Sequence, residues 1–193
     1  MQIWRYVVIV FTVFAGLVGC QTTEPVPPAT TADEFVPLAM NARRLEIIDN
    51  WQMPVEAPYI GHRAQTLPSN LLAKWASQVL QPAGGSGELV FDISRASVTR
   101  VALPLEAGIK TLMTDQQESK IRVDIVTKLM WIQPVGGKQG IVDVIASTTR
   151  TLSESKTPNE RQIAVREVMI EAVNLLDIEA RKQITNIAEI IRP

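Results

Sequence analysis

Residues 119–132 read SKIRVDIVTKLMWI, and their alternation decides the fold. Ile121, Val123, Ile125, Thr127, Leu129 and Trp131 fall on one side of an extended chain. Lys120, Arg122, Asp124, Val126, Lys128 and Met130 fall on the other. A period of two with an apolar face and a polar face predicts a strand packed on one side and wet on the other, the usual antiparallel case.

On the C-terminal side, Pro134, Gly136 and Gly137 predict a hairpin loop, and 140–152 returns with Val142, Val144 and Ala146 inward. On the N-terminal side, Leu89, Phe91 and Ile93 alternate with Val90, Asp92 and Ser94. That pattern continues towards Val101 after a phase slip near Arg95 that predicts a bulge. An earlier strand is expected over 42–51, with Leu45 and Ile47 on one face and Arg44, Glu46 and Ile48 on the other.

Two helices complete the pattern. Pro68 and Ser69 give a start signal, Leu72, Trp75 or Ala76, and Val79 recur at helical spacing, and Pro82, Gly84 and Gly85 stop the run. Thr157 and Glu160 form a T-x-x-E capping box with Pro158 at the first helical position. Val165, Val168, Ala172, Leu175, Ala180, Ile184, Ile187 and Ile191 then make one drifting apolar stripe. Such a helix would be about 50 Å long, so it either breaks near Asp177 or overhangs the sheet.

The expected fold is α+β with order β-α-β-β-β-α: two helices on one face of a four-stranded, mostly antiparallel sheet. The strand-helix-strand start allows one parallel pair through a right-handed crossover. Leu72, Trp75, Val79, Phe91, Val123, Ile125, Val144, Ala172, Leu175 and Leu176 are expected to share the core.

The beginning of the chain speaks of location. Arg5 precedes an apolar core from Tyr6 to Leu17, too short for a permanent span, which needs about 20 apolar residues. A charged start, a short apolar core and small residues before a cut site predict a secretory signal peptide over 1–19. Leu17-Val18-Gly19-Cys20 resembles a bacterial lipobox. The resemblance implies lipid on the Cys20 thiol, cleavage before it and acylation of the new amino terminus. Several acyl chains would anchor the protein stably where one would not. Residues 20–40 are expected to be the lipidated cysteine and a Pro/Thr-rich tether, with a single domain over 41–193.

Cys20 is the only cysteine among 193 residues, so no thiol is left for a disulfide or a zinc site. Lys and Arg number 19 against 20 Asp and Glu, and no basic run exists to neutralise a phosphate backbone. Nucleic-acid binding is therefore not expected, nor is any metal or other cofactor. His62 is the only histidine and sits in a loop, so any Ser-His-Asp arrangement would have to use this residue. Residues 84–87, GGSG, lie after a helix and before a strand, the reverse of a phosphate loop, and read as a turn. Trp51, Trp75 and Trp131 suit either a groove or the core, and their positions favour the core.

The connection over 103–118 (LPLEAGIKTLMTDQQE) is longer than two adjacent strands need. Leu105, Ile109, Leu112 and Met113 make it either a flap over the sheet or a partner-binding loop.

The lipobox, tether and element order resemble a group of small envelope lipoproteins. These include the lipopolysaccharide-assembly lipoprotein and auxiliary lipoproteins of ABC-type transport systems. His62, the stretch 67–80 with Trp75-Ala76, Ala96-Ser97-Val98, Leu103-Pro104 and 112–116 (LMTDQ) are similar to a set of uncharacterised proteobacterial lipoproteins. The resemblance implies membrane attachment through Cys20 and carries no catalytic residue, while the lipid tether, one compact α+β domain and the lack of an assembled catalytic set lead to the expectation of an envelope protein or lipid partner. By the sorting rule of proteobacterial lipoproteins, Gln21 rather than aspartate implies the outer membrane, with the domain facing the periplasm. The functional expectation is a non-enzymatic binding protein of an outer-membrane assembly or transport system. Its alternatives are a periplasm-facing hydrolase using His62 and a purely structural lipoprotein.

Overall fold

The computed structural model describes residues 35–104, 117–153 and 155–192. The signal segment, Cys20 and the beginning of the tether lie outside the described residues, as do Leu105, Ile109, Leu112 and Met113.

Strands β1 (Leu38–Met40), β2 (Arg44–Asp49), β3 (Leu80–Pro82), β4 (Glu88–Ala102), β5 (Gln117–Gln133) and β6 (Lys138–Ser153) alternate with helices α1 (Pro68–Val79) and α2 (Pro158–Ile184). The main sheet has order β2-β4-β5-β6. β2 and β4 are parallel, joined through α1, and the β4–β5 and β5–β6 pairs are antiparallel. The α+β class and the expected topology are both present.

The alternation in β5 does what its period dictates. Ile121, Val123, Ile125, Thr127, Leu129 and Trp131 are all buried. The far face is open, with Ile141 and Ile145 exposed on β6. The phase slip in β4 is a bulge at Ser94, where the register jumps between Ile93 and Arg95. The extra residue restores the inward phase, so Ala96 and Val98 are buried after Leu89, Phe91 and Ile93 before it.

Both helices pack on the inner face. Trp75 stacks at 5.5 Å and a tilt of 49° against Phe91, an edge-biased arrangement that aromatic pairs prefer. Its Nε1 donates to Asp177 Oδ1 on α2 at 2.9 Å, and Arg181 Nε donates to the other oxygen at 2.8 Å. Arg150 of β6 reaches Glu167 and Glu171 of α2. The capping box at Thr157 is formed in both directions. Donation from the Thr157 backbone N–H, then from its hydroxyl, holds the Glu160 carboxyl below its ordinary value.

Three expectations are corrected. Leu175 is not core: it is 41% exposed, while Leu176 is fully buried. The two point about 100° apart around the helix, and Leu176 takes the direction of Val168, Ala172 and Ala180. The last helix does not break at Asp177. It runs 27 residues to Ile184, about 40 Å, and the chain then turns back. Asn41 N donates to Ile190 O and Arg192 N to Ala39 O, both at 2.8 Å, and Ile190 is fully buried.

That return explains the third correction, because the expected tether includes residues 38–40. Leu38–Met40 instead forms a parallel pair with Leu80–Pro82, flanked by the C-terminal segment. α1 ends at Val79, three residues before Pro82, and the chain goes straight into β3.

Candidate functional site

The connection between β2 and α1 is not a free loop. Ile60 N donates to Val98 O at 2.8 Å and Arg100 N donates to Pro58 O at 2.9 Å, so 58–60 lies along the β4 edge that β2 has left. A short 3-10 turn at Gly61–Arg63 follows. Gly61 is buried there, and a Cβ on it would stand 3.3 Å from Met53 Sδ and 3.4 Å from Pro68 Cγ. The absent side chain lets the turn seat against the start of α1.

This seating leaves a cavity of about 300 Å³ between residues 60–66 and the first three turns of α2. Arg100, Leu152 and Pro158 line it as well. Its floor is apolar, built from Ile60, Ala64, Leu152, Val165 and Met169. Val165 and Met169 share a side of α2 at i, i+4 spacing, and Arg161 precedes them by one more turn. Arg63, Arg100, Arg161 and Arg166 line the same cavity, and among the described residues no carboxylate does.

The inward phase of β4 explains Arg100. Its register partner is the buried Ile121, so it occupies the core face at the end of the strand, where the core gives way to solvent.

The four arginines differ in their commitments. Arg161 bridges to Glu118 at 2.8 Å and donates from Nε to Lys156 O at 2.9 Å. Arg63 Nε donates to His62 Nε2 at 3.1 Å. Arg100 and Arg166 have no side-chain hydrogen bond or ion pair among the described residues. Together they give an apolar recess with surplus positive charge among the described residues.

His62 is half-buried beside this recess but is not part of its lining. Its Nδ1 is buried with no hydrogen-bond partner among the described residues, so no carboxylate orients the ring. Trp75 and Trp131 are core residues, as their positions favoured, and Trp131 Nε1 donates to Asn41 O at 2.8 Å. Residues 84–87 form a turn with Gly84 and Gly85 at positive φ. The described residues hold no cluster of potential metal ligands, and none of their helices is long and apolar enough to cross a membrane.

The sequence reading missed the cavity. One signal for it was present: Arg100 continues the inward series Ala96, Val98, where an apolar residue would be expected.

The fold and this recess define an α+β domain with both helices on one face of a mixed sheet. No family model matches the chain, and no curated protein matches it in sequence. Among solved structures it is similar to the rare lipoprotein B from Shewanella oneidensis, at 12% identity and a TM-score of 0.38, covering 74% of this chain and 97% of that one. It is also similar to a putative lipoprotein from Caulobacter crescentus CB15, at 13% identity and a TM-score of 0.29, covering 73% and 85%. A third is the PelC L103M dodecamer from Paraburkholderia phytofirmans, at 11% identity and a TM-score of 0.23, covering 73% and 92%. No residue role is carried across from these structures.

Proposed function

We propose that this chain is a lipid-anchored, non-enzymatic envelope protein. Cys20 carries the anchor at the periplasmic face of the outer membrane, and the domain binds a protein or lipid component of an assembly or transport system there. The anchor is supported by Leu17-Val18-Gly19-Cys20 behind a short apolar core, and the choice of membrane by Gln21.

The observation that supports binding is the recess between residues 60–66 and α2, apolar below and lined by four arginines. Such a site offers desolvation and charge, the two contributions that hold a ligand in a concave pocket. A hydrolase would need a general base oriented by a second group, and His62 Nδ1 has no such partner among the described residues.

The test is affinity recovery of the full chain from crosslinked membranes, comparing the parent with an Arg100→Gln/Arg166→Gln variant. A specific component that the parent retains and the variant loses is expected. Recovery of the protein alone at every crosslinker length would contradict the binding role. Full complementation of a deletion phenotype by His62→Ala is also expected, and a null phenotype with a folded variant would favour the hydrolase.

A further inference from the structure

The recess combines two features that a single ligand would have to answer. Its floor of Ile60, Val165 and Met169 rewards apolar contact, whereas Arg100 and Arg166 line the same space with no hydrogen-bond or ion-pair partner among the described residues. A free inorganic anion would meet the charges and leave the floor wet. An uncharged hydrocarbon would use the floor and gain nothing from the charges. About 300 Å³ is at the small end of ligand pockets, which suits one short alkyl chain and not the two chains of a phospholipid. A guanidinium presents paired N–H donors in a plane that matches a carboxylate.

We infer that this recess binds a single-chain fatty acid, with the alkyl chain on the Ile60–Val165–Met169 floor and the carboxylate at Arg100 and Arg166. The inference deepens the proposed binding role and rests on it, naming the ligand class for the same site. Each methylene added to the buried part of the chain raises affinity roughly fourfold until the floor is full.

The test uses the full, membrane-bound chain and a dodecanoic acid carrying a diazirine near its methyl end, with the matching dodecanol as control. Photolysis and peptide mapping by mass spectrometry are expected to place adducts on residues 60–66 and 162–169, at least tenfold more from the acid than from the alcohol. Arg100→Gln/Arg166→Gln is expected to bring acid labelling down to the alcohol's level and leave the alcohol's unchanged. Val165→Trp, which fills the floor, is expected to abolish both. Circular dichroism of each variant must match the parent, and because Arg100 and Arg166 are exposed the double variant keeps the test sound if Val165→Trp does not fold.

Equal labelling by acid and alcohol, adducts spread over the surface, or no response to the double variant would overturn the inference. So would competition by an unlabelled lysophospholipid as strong as that by dodecanoic acid. Capture of an envelope component from crosslinked membranes without fatty-acid labelling would overturn this assignment alone and leave the binding role standing.

Discussion

Val123 is 1% exposed at the middle of β5, with Val98 on one side and Thr148 on the other. Replacing it by aspartate tests the phase of the central strand, and with it the whole arrangement of the sheet. Shortening the side chain to alanine removes two buried methyl groups, about 0.8 kcal/mol each by transfer alone, and the unfilled space adds to that. We expect Val123→Ala to cost about 2 kcal/mol.

Aspartate loses the same contacts and also places a carboxylate among Ala96, Val98 and Ile121, where no cation is in register with it. An unpaired buried charge costs about 3–5 kcal/mol, a large part of the roughly 5–15 kcal/mol that holds a domain together. Val123→Asp is therefore expected to unfold at a much lower urea concentration than Val123→Ala, or not to fold at all. Lys120→Asp, on the exposed face of the same strand, is expected to stay within about 0.5 kcal/mol of the parent. Urea titrations followed by tryptophan fluorescence and far-UV circular dichroism give all three values. A Val123→Asp midpoint equal to that of the parent, with Lys120→Asp strongly destabilised, would refute the strand phase.

Asp177→Ala leaves Trp75 Nε1 without its acceptor between the two helices, and should cost about 1–3 kcal/mol in the same urea assay. Gly87→Ala would put a Cβ 2.3 Å from Asn41 O and 2.7 Å from Trp131 Nε1, so a loss of about 1–3 kcal/mol is expected, with a change in Trp131 fluorescence. Thr157→Ala removes the α2 cap and should cost about 1 kcal/mol. Because the Glu160 carboxyl is held below its ordinary value of 4.5, its contribution is present above that pH and is lost as pH falls through the folded-state value. Thermal melts below pH 4.5 should therefore show a smaller difference between Thr157→Ala and the parent than melts at pH 7.

What the sequence revealed follows from how local each signal is. The β5 alternation, the Ser94 bulge and the Thr157–Glu160 box each depend on a few neighbouring residues, and all three are in the structure. Leu175 was misplaced because a long drifting stripe allows either of two adjacent leucines to face the core, and only packing chooses Leu176. The β1–β3 pair is three residues long on each side, too short for a period to show, and its flanking partner comes from the far end of the chain. The recess was hidden for the same reason. It brings residues 60–66 against 158–169, and no spacing within either segment reports that contact. Arg100 alone left a trace, as a charge at an inward position of a strand.

The envelope reading depends on one thiol, and mass spectrometry of the amino-terminal peptide from the membrane-extracted protein tests it most directly. The predicted result is a peptide that begins at Cys20, with a diacylglyceryl group on sulfur and an acyl group on its amine. A peptide that carries Cys20 unmodified, or one still joined to residues 1–19, would contradict it.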